Sequence, residues 1–421
     1  MVDAALTAPR ALQEQDGKLN LTRTLLLSLP FAWISIFNAV LDNGLPVILT
    51  APASEGGLEL SFTFKGAVMA MDNILGLFLL PLFGWLSDRS RSKWGKRTPF
   101  TVAGGALAAL LWVVTGIALQ MQIKWIFFVL LTGALASIAV SRPTGLAILP
   151  DFTPLRHRRT AQAVTDIVSI LCTVIGIVLI LIFAPLGYDK IFFAAAALML
   201  PMIAVFLCTV KERKWQAEEP RAKIVAAEGA PLRLKRRWLL LGAVFFFYVA
   251  YNGLVSSLSN YAVDVLRLSK QQFVLPQGLT LLAAVAFSLP AVALAKRMRR
   301  KILLILGVGT MVAAFALAGL QPTLNAGMFI CFFFTGAGFA VALTNLYPFL
   351  LEMSSPDKIG AATGVFNMVM TLAMVVTPIA SGWLSDHAPM GLKVLFPYCI
   401  GSLLVCLLFL ILIPERKKAT V

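Results

Sequence analysis

The chain has 421 residues, 59% of them hydrophobic and only 13% charged, whereas soluble domains carry roughly 25% charged residues. That surplus of apolar side chains has no place inside a globule of this length and must face lipid. A net charge of +16 would suit a nucleic-acid binder, but the basic residues gather in alternate loops, as they do in membrane proteins, so no nucleic-acid partner is expected.

A bilayer core of about 30 Å takes about 20 apolar residues as a helix. Apolar runs near 22–50, 62–87, 99–120, 124–150, 161–184 and 189–210 predict six spans. Six more follow near 238–261, 271–295, 302–320, 326–352, 361–385 and 392–413. The expected fold is all-α: a polytopic membrane protein of twelve transmembrane helices in two six-helix halves, 1–210 and 238–421. Between them, 211–237 reads as a basic cytoplasmic linker. The first run, followed by Ala51-Pro52-Ala53, could mimic a cleaved signal. It is longer than the roughly 7–15 residues of a signal core and contains Asn38, Asp42 and Asn43, so it is read as a retained span.

Of the 36 Lys and Arg residues, 29 fall on the side of the termini and the linker. Six (Lys65, Lys124, Lys190, Arg267, Lys270 and Lys393) fall on the other, and Arg142 lies within a span. This asymmetry places both termini in the cytoplasm, in a plasma (inner) membrane. Five cysteines sit in apolar runs without a Cys-x-x-Cys pair, and His157 and His387 are far apart. No metal site, cofactor or disulfide framework is expected.

Spans 3, 6, 9 and 12 are almost free of ionisable or amide side chains, while spans 1, 4, 7 and 10 are not. Span 1 carries Asn38, Asp42 and Asn43; span 4 carries Arg142; span 7 carries Tyr248, Tyr251 and Asn252; span 10 carries Asn345 and Tyr347. Polar groups inside a span are costly and face a cavity or a partner, so every third helix is expected to line one cavity. Those residues, with Asn73, are the candidate substrate contacts; amides and Arg suit hydroxyls, and aromatic rings suit apolar faces.

Among the buried charges, Asp72 lies about 15 Å into span 2 and Arg142 about 27 Å into span 4, at 1.5 Å per residue. Asp166 lies at a depth similar to that of Arg142, so depth pairs those two and leaves Asp72 without a cation at its level. Asp72 is therefore the first candidate to carry a coupling proton, and Asp42 the second. A permanently hydrogen-bonded Asp72 beside Asn73, a structural Asp42, and an Arg142 that serves either a gate or the substrate all remain open.

The run Gly84-Trp85-Leu86-Ser87-Asp88-Arg89-Ser90-Arg91-Ser92-Lys93-Trp94-Gly95-Lys96-Arg97-Thr98-Pro99-Phe100 resembles the loop 2–3 motif of the glycoside–pentoside–hexuronide cation symporters of the major facilitator superfamily. The likeness is to the bacterial branch near the sucrose–proton symporters. Arg142-Pro143, Leu149-Pro150-Asp151-Phe152-Thr153-Pro154 and Arg158-Arg159-Thr160-Ala161 are similar to the same branch, as is Asp72-Asn73 followed by Pro81 and Gly84. Together these cover residues 70–165. The resemblance implies a major facilitator fold and proton-coupled symport of a glycoside, a disaccharide above all, by alternating access. It implies a cytoplasmic gate of Asp88, Arg89, Arg97 and Asp151, to which the Arg142–Asp166 pair is added. Melibiose-type relatives carry two span-2 carboxylates one turn apart, suited to sodium. Here Val68 and Gly76 flank Asp72 at that spacing, and a lone carboxylate is a poor cage for a hard cation, which favours a proton.

The expected partners are a small-molecule sugar, a proton and the bilayer, with the chain a monomer. The alternative is a lipid or amphiphile carrier on the same fold. A membrane enzyme is disfavoured, because no metalloprotease, nucleophile-elbow or P-loop motif occurs, and so is a channel, because the buried charges do not recur as a ring. Gly382-Trp383-Leu384-Ser385-Asp386 repeats residues 84–88 but closes span 11 at the opposite end, and is read as a coincidence.

Overall fold

The computed structural model describes residues 20–153, 157–213, 215, 234–321, 323–354 and 359–414. Most of the expected linker, 216–233, and both tails lie outside the described residues. Among the described residues every regular element is helical, and twelve helices are long and apolar enough to cross a bilayer. In chain order the spans are Leu21–Thr50, Phe62–Arg89, Thr98–Gln120, Lys124–Asp151, Thr160–Leu186 and Tyr188–Thr209, then Arg236–Asp264, Leu275–Ala295, Arg300–Gly319, Ala326–Glu352, Ala362–His387 and Gly391–Leu412. The protein is a multi-pass membrane protein. Large apolar side chains such as Phe78, Val129 and Leu289 stand exposed on its flanks, where lipid rather than water is the natural neighbour.

Two apolar clusters form the interior. The first is built mainly from spans 1 to 6 and holds Trp33, Phe37, Trp112 and Phe192, with Phe37 edge-on to Trp112 at 4.6 Å. The second belongs to spans 7 to 12 and holds Phe247, Phe315, Phe332 and Phe396. Alternation of twelve spans puts the 2–3, 4–5 and 8–9 connections at one end, here the linker end, and the 1–2, 7–8 and 11–12 connections at the distal end.

Span 1 is not a uniform helix. Residues Val40–Gly44 form a π-helical turn, with the Leu45 N–H donating to the Val40 carbonyl. The cause is in the sequence: Pro46 has no N–H to offer the Asp42 carbonyl four residues back, and its ring crowds that carbonyl. The ladder therefore widens by one residue just before the proline, and Asp42 sits inside the widened turn. Such insertions are rare and gather at functional sites.

The described polar contacts between the two sets of six spans lie toward the distal end. Gly66 of span 2 packs so closely on span 11 that an added Cβ would lie 2.0 Å from the Pro378 carbonyl oxygen, and at Gly382 one would lie 2.2 Å from that of Phe62. Small residues allow such helix crossings in membranes, where close packing supplies much of the association. The Asp386 carboxylate accepts from the Phe62 and Thr63 N–H groups at 3.0 and 2.7 Å, which caps span 2 at its positive dipole end. The second copy of the repeated motif thus has a structural task of its own.

Candidate functional site

Where the halves meet, a cavity of about 300 Å³ is lined by spans 1, 5, 7, 8 and 10. Its polar lining comes from Ser35, Asn38, Asp42 and Asn43 of span 1, Thr173 of span 5, and Gln277 and Thr280 of span 8. Tyr251 and Phe339, 5.1 Å apart and edge-on, form an aromatic wall, and Leu254, Leu258 and Leu343 are among the apolar remainder. The volume is at the lower end of small-molecule sites, and an apolar surface with a few fixed polar groups is their usual composition.

Behind the cavity wall a chain of polar groups crosses three spans. Arg142 donates from Nη1 to Asp72 Oδ2 at 3.0 Å and from Nη2 to Asn38 Oδ1 at 2.6 Å. Depth alone paired Arg142 with Asp166, and the structure corrects this. Asp166 is exposed and accepts instead from Gln162 at 2.7 Å. Counting residues assumes straight helices that start at one level; spans tilt by about 20° on average, and the long Arg side chain covers the rest. Asp72 therefore has a cation, contrary to the expectation that singled it out.

Asp42 is the carboxylate left without a partner. It lines the cavity, and among the described residues its oxygens take part in no hydrogen bond or ion pair. The charged groups that bear on it are Asp72 and the Arg142 already spent on Asp72. Tyr251 is also close enough to be influenced by it.

Of the other expected substrate contacts, Asn38, Asn43 and Tyr251 reach the cavity and the rest do not line it. Asn252 is turned to the Met374 carbonyl at 3.0 Å, and Asn345 to the Val341 carbonyl and Arg300. Tyr347 shares a 2.8 Å hydrogen bond with Thr363, and Tyr248 packs among Tyr251 and Phe366. Asn73, one residue beyond Asp72, is half-buried and outside the lining. Gln277 and Thr280 lie in span 8, outside the rhythm of polar spans 1, 4, 7 and 10, and Phe339 of span 10 is apolar, so the sequence pattern does not single them out.

At the linker end Arg97 is buried and pairs with Asp88 at 2.9 Å and Asp151 at 2.6 Å. Beneath it Glu212, fully buried, accepts from the N–H groups of Lys96, Arg97 and Thr98. A carboxylate there satisfies the free donors at the start of span 3 and suits its dipole. Arg89 stays exposed, its guanidinium 3.8 Å above the Trp85 ring. These contacts join the first six spans to Glu212, just after the sixth.

At the distal end the halves are tied together. Lys65, counted above with the loop residues, is fully buried; its ammonium donates to Ser256 O and Ser257 Oγ at 3.1 Å and to Asn260 Oδ1 at 3.3 Å. Asn260 in turn donates to the Pro46 carbonyl at 3.0 Å and to Thr50 at 2.6 Å. One amide of span 7 thus joins spans 1 and 2, and the halves are held together at this end.

The profile of the Major Facilitator Superfamily matches residues 31–284 and 242–421. The chain belongs to the major facilitator superfamily. Among solved structures, a mutant of the nucleoside transporter NupG is similar at 14% identity, with a TM-score of 0.72 over 93% of this chain and 100% of that one. The peptide transporter POT in complex with sulfate gives 15% identity and a TM-score of 0.71, over 92% and 93% of the two chains. A bacterial homologue of the human lysosomal transporter Spinster, in an inward-facing and occupied conformation, gives 15% and 0.65, over 94% and 96%. At these identities the likeness shows the fold alone. No curated protein matches the chain by sequence. As a major facilitator transporter the protein moves small molecules and is not an enzyme.

Proposed function

We propose that the protein is a proton-coupled symporter of a small glycoside, a disaccharide above all, that works by alternating access. The observation that carries this reading is the unpartnered Asp42 carboxylate in the cavity wall, beside the Asp72–Arg142 ion pair that Asn38 extends. A carboxylate that must bind a proton and give it up again has to be free of a fixed cation and in reach of the solute. Asp42 meets both conditions and Asp72 does not. Asn38, Asn43 and Gln277 offer amides to hydroxyls, while Tyr251 and Phe339 offer faces to the apolar side of a sugar ring.

The halves 1–210 and 238–421 are the moving bodies of this proposal. The basic asymmetry places the linker end and both termini in the cytoplasm of an inner or plasma membrane, with the chain acting as a monomer. The closed distal end then makes this an inward-facing conformation. Asp88, Arg89, Arg97 and Asp151 belong to the cytoplasmic gate of this proposal.

The leucines of the cavity wall favour one second reading, transport of an amphiphile. Reconstitution into liposomes with an imposed proton gradient separates the two. Accumulation of a neutral disaccharide above equilibrium supports symport. Transfer of labelled amphiphiles with no disaccharide uptake replaces it.

A further inference from the structure

Resting on the reading that this cavity is the transport site, we infer that it selects solutes by hydrogen-bond donors. Amines are preferred to neutral hydroxyls, and carboxylates and phosphate esters are excluded. Three unsatisfied acceptors belong to its lining residues, two on span 1 and one on span 8. Asp42 has no partner among the described residues. Asn43 is 3% exposed and its Oδ1 is buried without a partner, while its amide nitrogen is spent on the Ala39 carbonyl at 2.7 Å. Because a carbonyl only accepts, that bond fixes which end of the amide is free. Gln277, on the facing span, likewise buries an unpartnered Oε1.

The hydroxyls of the wall add to the same sign. Thr173 and Thr280 donate to the carbonyls of Ser169 and Pro276 at 2.9 Å, which leaves only acceptor lone pairs for a ligand. The neighbouring cation cannot reverse the balance, since Arg142 is neutralised by Asp72 and bonded to Asn38. The donors left are the Asn38 and Gln277 amide nitrogens and the Ser35 and Tyr251 hydroxyls, all neutral. A buried acceptor without a partner is destabilising, so a ligand that donates relieves a cost already present. An anion would meet Asp42 without a free countercharge.

Two matched series test this by titration calorimetry on the purified full-length protein. The first is methyl glucoside, glucosamine and glucuronate; the second, without a sugar, is phenethyl alcohol, phenethylamine and phenylacetate. The expected order in either series is amine at least tenfold tighter than alcohol, with no measurable binding of the acid. Asp42→Asn is expected to erase the amine preference, and Gln277→Leu to weaken alcohol and amine alike by several-fold. Acids that bind as well as alcohols, or an amine preference that survives Asp42→Asn, overturn the inference. Failure of both series to bind overturns it as well. If the sugars fail but the phenethyl series keeps its order, the glycoside reading falls and donor selection stands.

Discussion

Asn260→Ala removes the amide that ties the two halves at the distal end. Three hydrogen bonds go with it: to the Pro46 carbonyl, to Thr50 and from Lys65. Interhelical hydrogen bonds inside membranes average about 0.6 kcal/mol each, so three are worth about 1.8 kcal/mol. At about 1.4 kcal/mol per factor of ten, the equilibrium between closed and open distal ends shifts about 20-fold toward open. The assay is the labelling rate of Val255→Cys, a cavity position, by an impermeant maleimide from the distal side, with the five native cysteines replaced. If the closed state dominates, the rate rises in proportion to the open population. A rate unchanged within about twofold would refute the view that this amide holds the distal end shut.

Gly66→Ala puts a methyl about where the Pro378 carbonyl now sits, so spans 2 and 11 must part; labelling of the same cysteine is expected to exceed that in Asn260→Ala, and a lower rate counts against tight distal packing. Arg142→Leu strands Asp72, whose side chain is 12% exposed. Removing one partner of a buried pair costs about 3–5 kcal/mol, so thermal unfolding in detergent is expected several degrees lower, with Asp72→Asn recovering part of the loss in the double variant. An additive double variant would deny the pairing.

The spans were legible because each is an apolar run of bilayer length, and no tertiary fact is needed to see that. Asp42, Asn38, Asn43 and Tyr251 were legible for a related reason, since polar groups in such a run need an explanation. The partners of those groups were not legible. The Arg142–Asp72 bond depends on tilt and on the reach of a long side chain, neither of which a residue count contains. Lys65 looked like a loop residue because it opens span 2, yet packing of span 7 over that end buries it completely. The widened turn at Asp42 did leave a trace, a proline four residues later, and that spacing is the clue a closer reading of span 1 would use. Gln277 left none, as a single amide near the start of a helix is unremarkable until the opposite wall is known.

In the proposed mechanism Asp42, not Asp72, carries the coupling proton. Asp42→Asn in proteoliposomes, assayed for both proton-driven accumulation and equilibrium exchange of a transported disaccharide, tests it most directly. Accumulation is expected to be lost while exchange persists, because the amide keeps the shape of the site but cannot take up and release a proton. Accumulation at the wild-type level in Asp42→Asn would contradict it and return the coupling role to the Asp72–Arg142 pair.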